Sequence, residues 1–176
     1  MSAAAQLRTL TQPLHDRVDA AFGKYRLDDP ASYRRFLHAH ALALPAVERT
    51  FAAAALPDWR PRTSLLAADL RDLGINMPPP LPFELATLEA GWGALYVVEG
   101  SRLGGAILAR TVPQGLPSRY LAAAHLSGEW RALRAAIDRA AAAAGAAWLP
   151  AAQDGAAATF ALYERAAAFY SDRETV

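Results

Sequence analysis

Apolar residues recur along this chain at three- and four-residue spacing, and no stretch shows the strict alternation of a half-buried strand. In the first segment Leu7, Leu10, Leu14, Val18 and Phe22 form one such stripe, which predicts an amphipathic helix with one face on a core. Thr11 and Pro13 fall inside it and mark a helix start or a kink, because an inner helical turn needs the N–H that proline lacks. Asp29-Pro30 opens a second helix carrying Tyr33, Phe36, Leu37, His40 and Leu44, with a bend expected at Pro45 before Val47 and Phe51. Leu56 to Arg62 reads as a loop. A helix from Thr63 to Leu73 is closed by Gly74, and MPPPLP (Met77 to Pro82) predicts a stiff extended connector. A long helix then spans about Phe83 to Thr111 until VPQGLP (Val112 to Pro117) breaks it. Two further helices follow, Ser118 to Ala144 and Gln153 to Ser171.

This pattern predicts a single all-α domain over residues 1–176, with six or seven helices sharing one core. Hydrophobic residues make up 53% of the chain, yet no uncharged run approaches the length of a membrane span. The N-terminal apolar stretch is too short for a signal peptide. A cytoplasmic protein is the expectation. A formal charge of +1 argues against nucleic acid or a membrane surface as partner. Cysteine is absent, which excludes disulfides, thiolate metal sites and iron–sulfur ligation. Any metal must be held by histidine, carboxylate or tyrosine.

The long helix carries the sharpest signal. GALYVVEGSRLGGAILAR (Gly93 to Arg110) is a good helix except for Gly100, Gly104 and Gly105, each costing roughly 1 kcal/mol relative to alanine inside a helix. Gly100 and Gly104, four apart, fit close approach by another helix. They equally fit a flat ligand lying against bare backbone, with Gly104-Gly105 providing a kink.

A planar iron cofactor needs an axial ligand, and four histidines are available: His15, His38, His40 and His125. His15 borders the first apolar stripe. Asp19, four residues on, shares its face and can take the proton of the other ring nitrogen, an arrangement that fixes a ligand's tautomer. Arg8, seven residues before it, is placed to pair with a carboxylate at the ligand's edge. His38 and His40 point to nearly opposite sides of one helix and make poor co-ligands. His125 pairs with Glu129 at i+4 if both lie on a helix. No Glu-x-x-His occurs, which removes a di-iron carboxylate bundle. Gly-x-Ser-x-Gly and P-loop signatures are also absent.

LRTLTQPLHDRVDAAF (Leu7 to Phe22) resembles the proximal-helix motif of heme oxygenases, and YVVEGSRLGGAILAR (Tyr96 to Arg110) resembles their glycine-rich distal helix. RTSLLAADLRDLG (Arg62 to Gly74) is similar to the intervening segment of bacterial members, and ATFALYERA (Ala158 to Ala166) to the last core helix. Order and spacing match across nearly the whole chain, most closely to the short subgroup associated with bacteriophytochromes. The resemblance implies a helical heme oxygenase fold of six to eight helices, with heme between proximal and distal helices. His15 is then the iron ligand and Asp19 the acid that contacts it. Gly100, Ser101 and Gly104 line the oxygen side, with Gly105 beside them. Arg8, Arg131 and Arg134 match propionate-binding positions, and Phe160 a pocket-wall aromatic.

The implied reaction is cleavage of heme to biliverdin, carbon monoxide and ferrous iron, with dioxygen and electrons from a donor such as a ferredoxin. A bacteriophytochrome is a candidate recipient of the product. Ser101 stands where many members carry aspartate, and Tyr163 where some carry asparagine. Tyr96 is one position out of register with a heme-edge tyrosine of some relatives. A heme-binding or sensing protein without turnover, and a helical interaction domain whose glycines serve packing alone, are the competing readings.

Overall fold

The first stripe folds as one uninterrupted helix, α1 (Ala3–Gly23), with the Ser2 hydroxyl accepting the Ala5 N–H at its start. The chain is seen here in a computed structural model that describes residues 1–53 and 56–170. Pro13 neither starts nor breaks α1. It lies on the exposed side, where water can take up the carbonyl that its missing N–H leaves open. The buried line of α1 differs from the expected stripe by one residue: Leu10 is 41% exposed, while Thr11 is buried. Burial of Thr11 is made tolerable by its hydroxyl, which donates to the Leu7 carbonyl at 2.7 Å.

Helix α2 (Pro30–Ala53) starts where Asp29 predicts, its carboxylate accepting the Ser32 N–H at 2.6 Å, and continues as one element through Pro45. Helix α3 (Thr63–Asp72) ends on Gly74 at φ +72°. There Ile75 N–H reaches the Leu70 carbonyl and Gly74 N–H the Arg71 carbonyl, both at 2.9 Å, the paired bonds that close a helix on a left-handed glycine. The proline-rich segment 75–87 is extended and tied down by the Leu81 N–H on the Leu42 carbonyl. Its Met77, Leu81, Phe83 and Leu85 lie over the core.

The glycine helix, α4 (Leu88–Leu108), begins five residues later than its apolar pattern suggests, because Thr87 caps it by accepting the Ala90 N–H at 3.1 Å. It passes through all three glycines without a break and closes in a 3₁₀ turn, Ala109–Thr111. The single helix expected over 118–144 is instead two, α5 (Arg119–Ala122) and α6 (Glu129–Ala144), separated where Gly128 adopts φ +84°. Helix α7 (Trp148–Ala168) starts ahead of the expected Gln153, since Pro150 falls in its permissive first turn; Ser171 lies outside the described residues. Among those residues there are seven α-helices and no strand, and no helix is long and apolar enough to cross a membrane.

Helix α7 is the keel. It packs along α4 and also against α1 and α2, whereas α1 and α4 barely touch one another. The closest approach is at two other glycines, Gly93 and Gly155. A Cβ on Gly93 would sit 1.7 Å from the Ala152 carbonyl oxygen, and one on Gly155 would sit 1.9 Å from that of Ala90. Gly93→Val is therefore expected to destabilise the protein by at least about 3 kcal/mol through forced separation of α4 and α7. Urea unfolding followed by circular dichroism measures this. A wild-type midpoint would contradict the packing role.

Candidate functional site

Helices α1 and α4 both lie on α7 and make few contacts with each other, so α7 floors the space between them. Phe160 and Ala156 of α7 form that floor with Val97 of α4, and Leu14, Val18 and Tyr96 pack against it. His15 stands on the α1 side, its ring edge-on to Phe160 at 6.1 Å between centroids. Nδ1 of His15 lies 3.2 Å from Asp19 Oδ2. The i+4 spacing thus delivers the expected pair, and it leaves Nε2 as the free ring nitrogen. The His15 side chain is 54% exposed, so this imidazole is neither sealed in the core nor packed over.

Across the gap, Tyr96, Gly100, Leu103, Gly104 and Ile107 share one stripe of α4 by helical spacing. A Cβ on Gly104 would meet no heavy atom within 4 Å, and one on Gly100 would meet only the Trp130 ring, at 3.4 Å. Leu103 and Ile107 are 49% and 66% exposed. At Gly104 the stripe is therefore bare backbone flanked by uncovered apolar side chains, the surface a flat apolar ring would take. Gly105 is different: it is buried, with a Cβ position 3.2 Å from the Leu121 carbonyl oxygen. It faces α5. The two readings of the glycines thus divide by position. Gly93, Gly105 and Gly155 serve packing; Gly104 serves space.

Basic residues gather at the Tyr96 end. Burial raises the Tyr96 hydroxyl above its ordinary range, while the charges of Arg8 from α1 and Arg134 from α6 act in the opposite direction. These two arginines, remote in sequence, are brought to one place. Arg131 lies one turn before Arg134, with Nη2 3.6 Å from a Cβ position on Gly128. All three are exposed and suited to planar carboxylates.

Beneath the glycine stripe lies a polar network that the sequence reading missed. Ser101 Oγ donates to the Val98 carbonyl at 2.6 Å and accepts from Arg62 Nη2 at 2.7 Å. Its hydroxyl proton is thus already engaged by the helix. Arg62 is 2% exposed and lies over the Tyr120 ring, 5.1 Å from its centroid. The Tyr120 hydroxyl meets His40 Nδ1 at 2.8 Å. His40 sits among Phe22, Phe36 and Tyr163, and burial pushes its imidazole down to about 3. It is neutral at ordinary pH, so Nδ1 can accept from the tyrosine. Tyr163 is buried beside the same ring. His38 instead packs on Phe169 and Tyr170.

A second cluster braces the other side of α4. Arg102 Nε donates to the Glu99 carboxylate at 2.9 Å, with both side chains buried. Arg102 also donates to the carbonyls of Ala123 and Arg60, tying two loops to the helix. His125 lies in one of these loops rather than on a helix, so the expected i+4 pair with Glu129 does not form. His125 Nε2 is 3.5 Å from Glu99 Oε2, and its ring stacks on Trp130. Glu129 is held down to about 2, chiefly by its hydrogen bonds from Arg60. The spacing Glu-x-x-Arg inside the most apolar helix was the available signal for the Glu99–Arg102 pair.

Comparison with known proteins finds the same architecture. The chain is 33% identical over 100 residues to a heme oxygenase of Xanthomonas campestris pv. campestris, an alignment covering 51% of this chain and 58% of that protein. The chain thus spans little more than half the length of that relative. It superposes on the NO- and CO-bound heme oxygenase of Neisseria meningitidis with a TM-score of 0.77 at 25% identity, covering 96% of this chain and 91% of that one. The all-helical fold is that of heme oxygenase. No family model matches the chain.

Proposed function

We propose that this protein is a heme oxygenase that binds heme between α1 and α4 and opens it to biliverdin, carbon monoxide and ferrous iron. The observation that carries this reading is the open backbone of Gly104 across a gap from an imidazole already oriented by a carboxylate. Both halves fit the group. The open backbone at Gly104 would allow close approach of a flat ring, and His15 Nε2 would be the nitrogen to hold its iron. The arginines at the Tyr96 end fit two propionates. The likeness to the Xanthomonas and Neisseria heme oxygenases points the same way.

Heme when bound supplies both the oxygen chemistry and the ring that is cut. The chain supplies position. Asp19 holds His15 Nδ1, which leaves Nε2 as the nitrogen that would hold the iron. Arg8, Arg134 and Arg131 fix the rotation of the ring by its carboxylates, which decides the carbon presented to the oxygen side. Gly104 keeps that side free of side chains, and the exposed Leu103 and Ile107 would flank the ring with apolar surface. With its proton on the Val98 carbonyl, Ser101 orders solvent as an acceptor rather than donating a proton itself. His40 and Tyr120 are neutral groups that can anchor water behind it.

Cytoplasmic location, a ferredoxin-type electron donor and delivery of product to a bacteriophytochrome belong to this reading. It includes no nucleic-acid or membrane partner. Hemin titration followed by ascorbate or a ferredoxin reducing system tests it. The expected result is a saturable imidazole-type Soret band that disappears as a green verdin absorbance rises. Absence of hemin binding overturns the reading. An engaged Ser101 hydroxyl favours one rival, a heme holder without turnover, and a Soret band that survives reductant would select it.

A further inference from the structure

We infer that Arg62, at the cap of α3, is a positioning residue for the oxygen side, placing a fixed positive charge behind Ser101. This rests on the function proposed above, although half of its test does not. The backbone of Arg62 is clamped first. Glu48 of α2 accepts the Arg62 N–H at 2.7 Å, and also the Thr63 N–H and hydroxyl at 3.1 and 2.6 Å. That carboxylate is thereby spent on the start of α3 and makes no bond to the guanidinium. The Arg62 side chain, 2% exposed, then crosses to α4, where Nη2 donates to the Val98 carbonyl and the Ser101 hydroxyl, both at 2.7 Å. Nε is buried without a hydrogen-bond partner.

A buried guanidinium whose own bonds all go to neutral groups is an expensive arrangement, and here it is aimed at one turn of one helix. Val98 and Ser101 bracket Gly100. The Val98 carbonyl receives two side-chain donors, at 2.7 and 2.6 Å, in competition with the helix's own N–H. Such competition is a recognised cause of helix bending. Arg62 therefore sets the path of the backbone at Gly100 and places a permanent positive charge directly behind it. The charged and titratable groups around it are Glu48 and His40 from α2, Tyr120 from α5, Tyr163 from α7 and Arg102 from α4, with His125 in the loop beyond. None of them makes a hydrogen bond to its guanidinium.

The first measurement uses protein without hemin. In Arg62→Met, amide hydrogen exchange at residues 98–105 is expected to quicken about tenfold or more relative to wild type, with α7 unchanged. The second uses hemin-loaded protein. Loss of a buried cation is expected to raise the pH midpoint of the acid–alkaline spectral transition by about one unit in Arg62→Met. Arg62→Lys, which keeps the charge but not the fork, is expected to restore that midpoint while leaving exchange fast. Unchanged exchange and an unchanged midpoint in Arg62→Met overturn the proposal. So does a lysine variant whose midpoint moves as far as the methionine variant's. If Arg62→Met does not fold, Ser101→Ala and Arg62→Lys carry the test, and wild-type exchange in both overturns it. A protein that takes up no hemin fails the proposed function, yet leaves the exchange measurement to decide the helix-positioning role.

Discussion

His15→Ala is expected to fold like the wild type and to lose the imidazole signature of bound hemin. The two halves of that result have different causes. The His15–Asp19 pair is exposed on both sides, 54% and 67%, and such surface pairs contribute only about 0–1 kcal/mol. Thermal melting should therefore barely change. Hemin affinity should fall by at least about tenfold, since even the partners that merely orient a metal-ligating histidine are worth that much. Reductant-driven verdin formation should fall with it, and added imidazole should restore part of the Soret position. A variant with an unaltered hemin spectrum would show that another residue holds the iron, and the site would have to be redrawn. Of the other histidines, His125 is stacked on Trp130 beside Gly100, and His40 is enclosed in the core. Its Nδ1 is fixed by Tyr120 and aromatic rings pack around it, so it is badly placed to substitute.

Gly104→Leu is expected to separate stability from function in the opposite direction from Gly93→Val. The Cβ position of Gly104 is open, and replacing helical glycine by a good helix former gains up to about 1 kcal/mol. The heme-free protein should melt at the same temperature or higher. The new side chain, however, projects into the gap that faces His15. Hemin uptake should weaken, or verdin formation should stop or shift to a different ring-opened isomer, read by chromatography of the product. Unimpaired turnover with an unchanged product would remove Gly104 from the oxygen side. Two glycines eleven residues apart on one helix thus have opposite expected effects on stability, because α7 fills the space beside one and nothing fills the space beside the other.

The helices were legible because their signals are local. The stripes of α1, α2 and α4, the Asp29-Pro30 start, the Gly74 stop and the proline connector are each encoded within a few residues. The errors were local features outweighed by something distant or by an unnoticed cap. Thr87 moved the start of α4. Gly128 divided a run that looked continuous, and the Arg60–Glu129 hydrogen bonds join its far side to a loop remote in sequence. Leu10 and Thr11 exchanged places because a back-bonded hydroxyl is content to be buried.

The candidate site divides along the same line. Helical spacing alone determined that His15 and Asp19 meet, that Arg8 shares their face, and that Gly100 and Gly104 expose one stripe of backbone. Only the tertiary structure decided that Gly104 looks into space while Gly105 packs on α5, and that Arg8 and Arg134 converge on Tyr96. It alone decided that Arg62 reaches Ser101 from thirty-nine residues away. The physical reason is range: a helix fixes which side chains share a face, but what lies opposite that face depends on how α1 and α4 pack on α7.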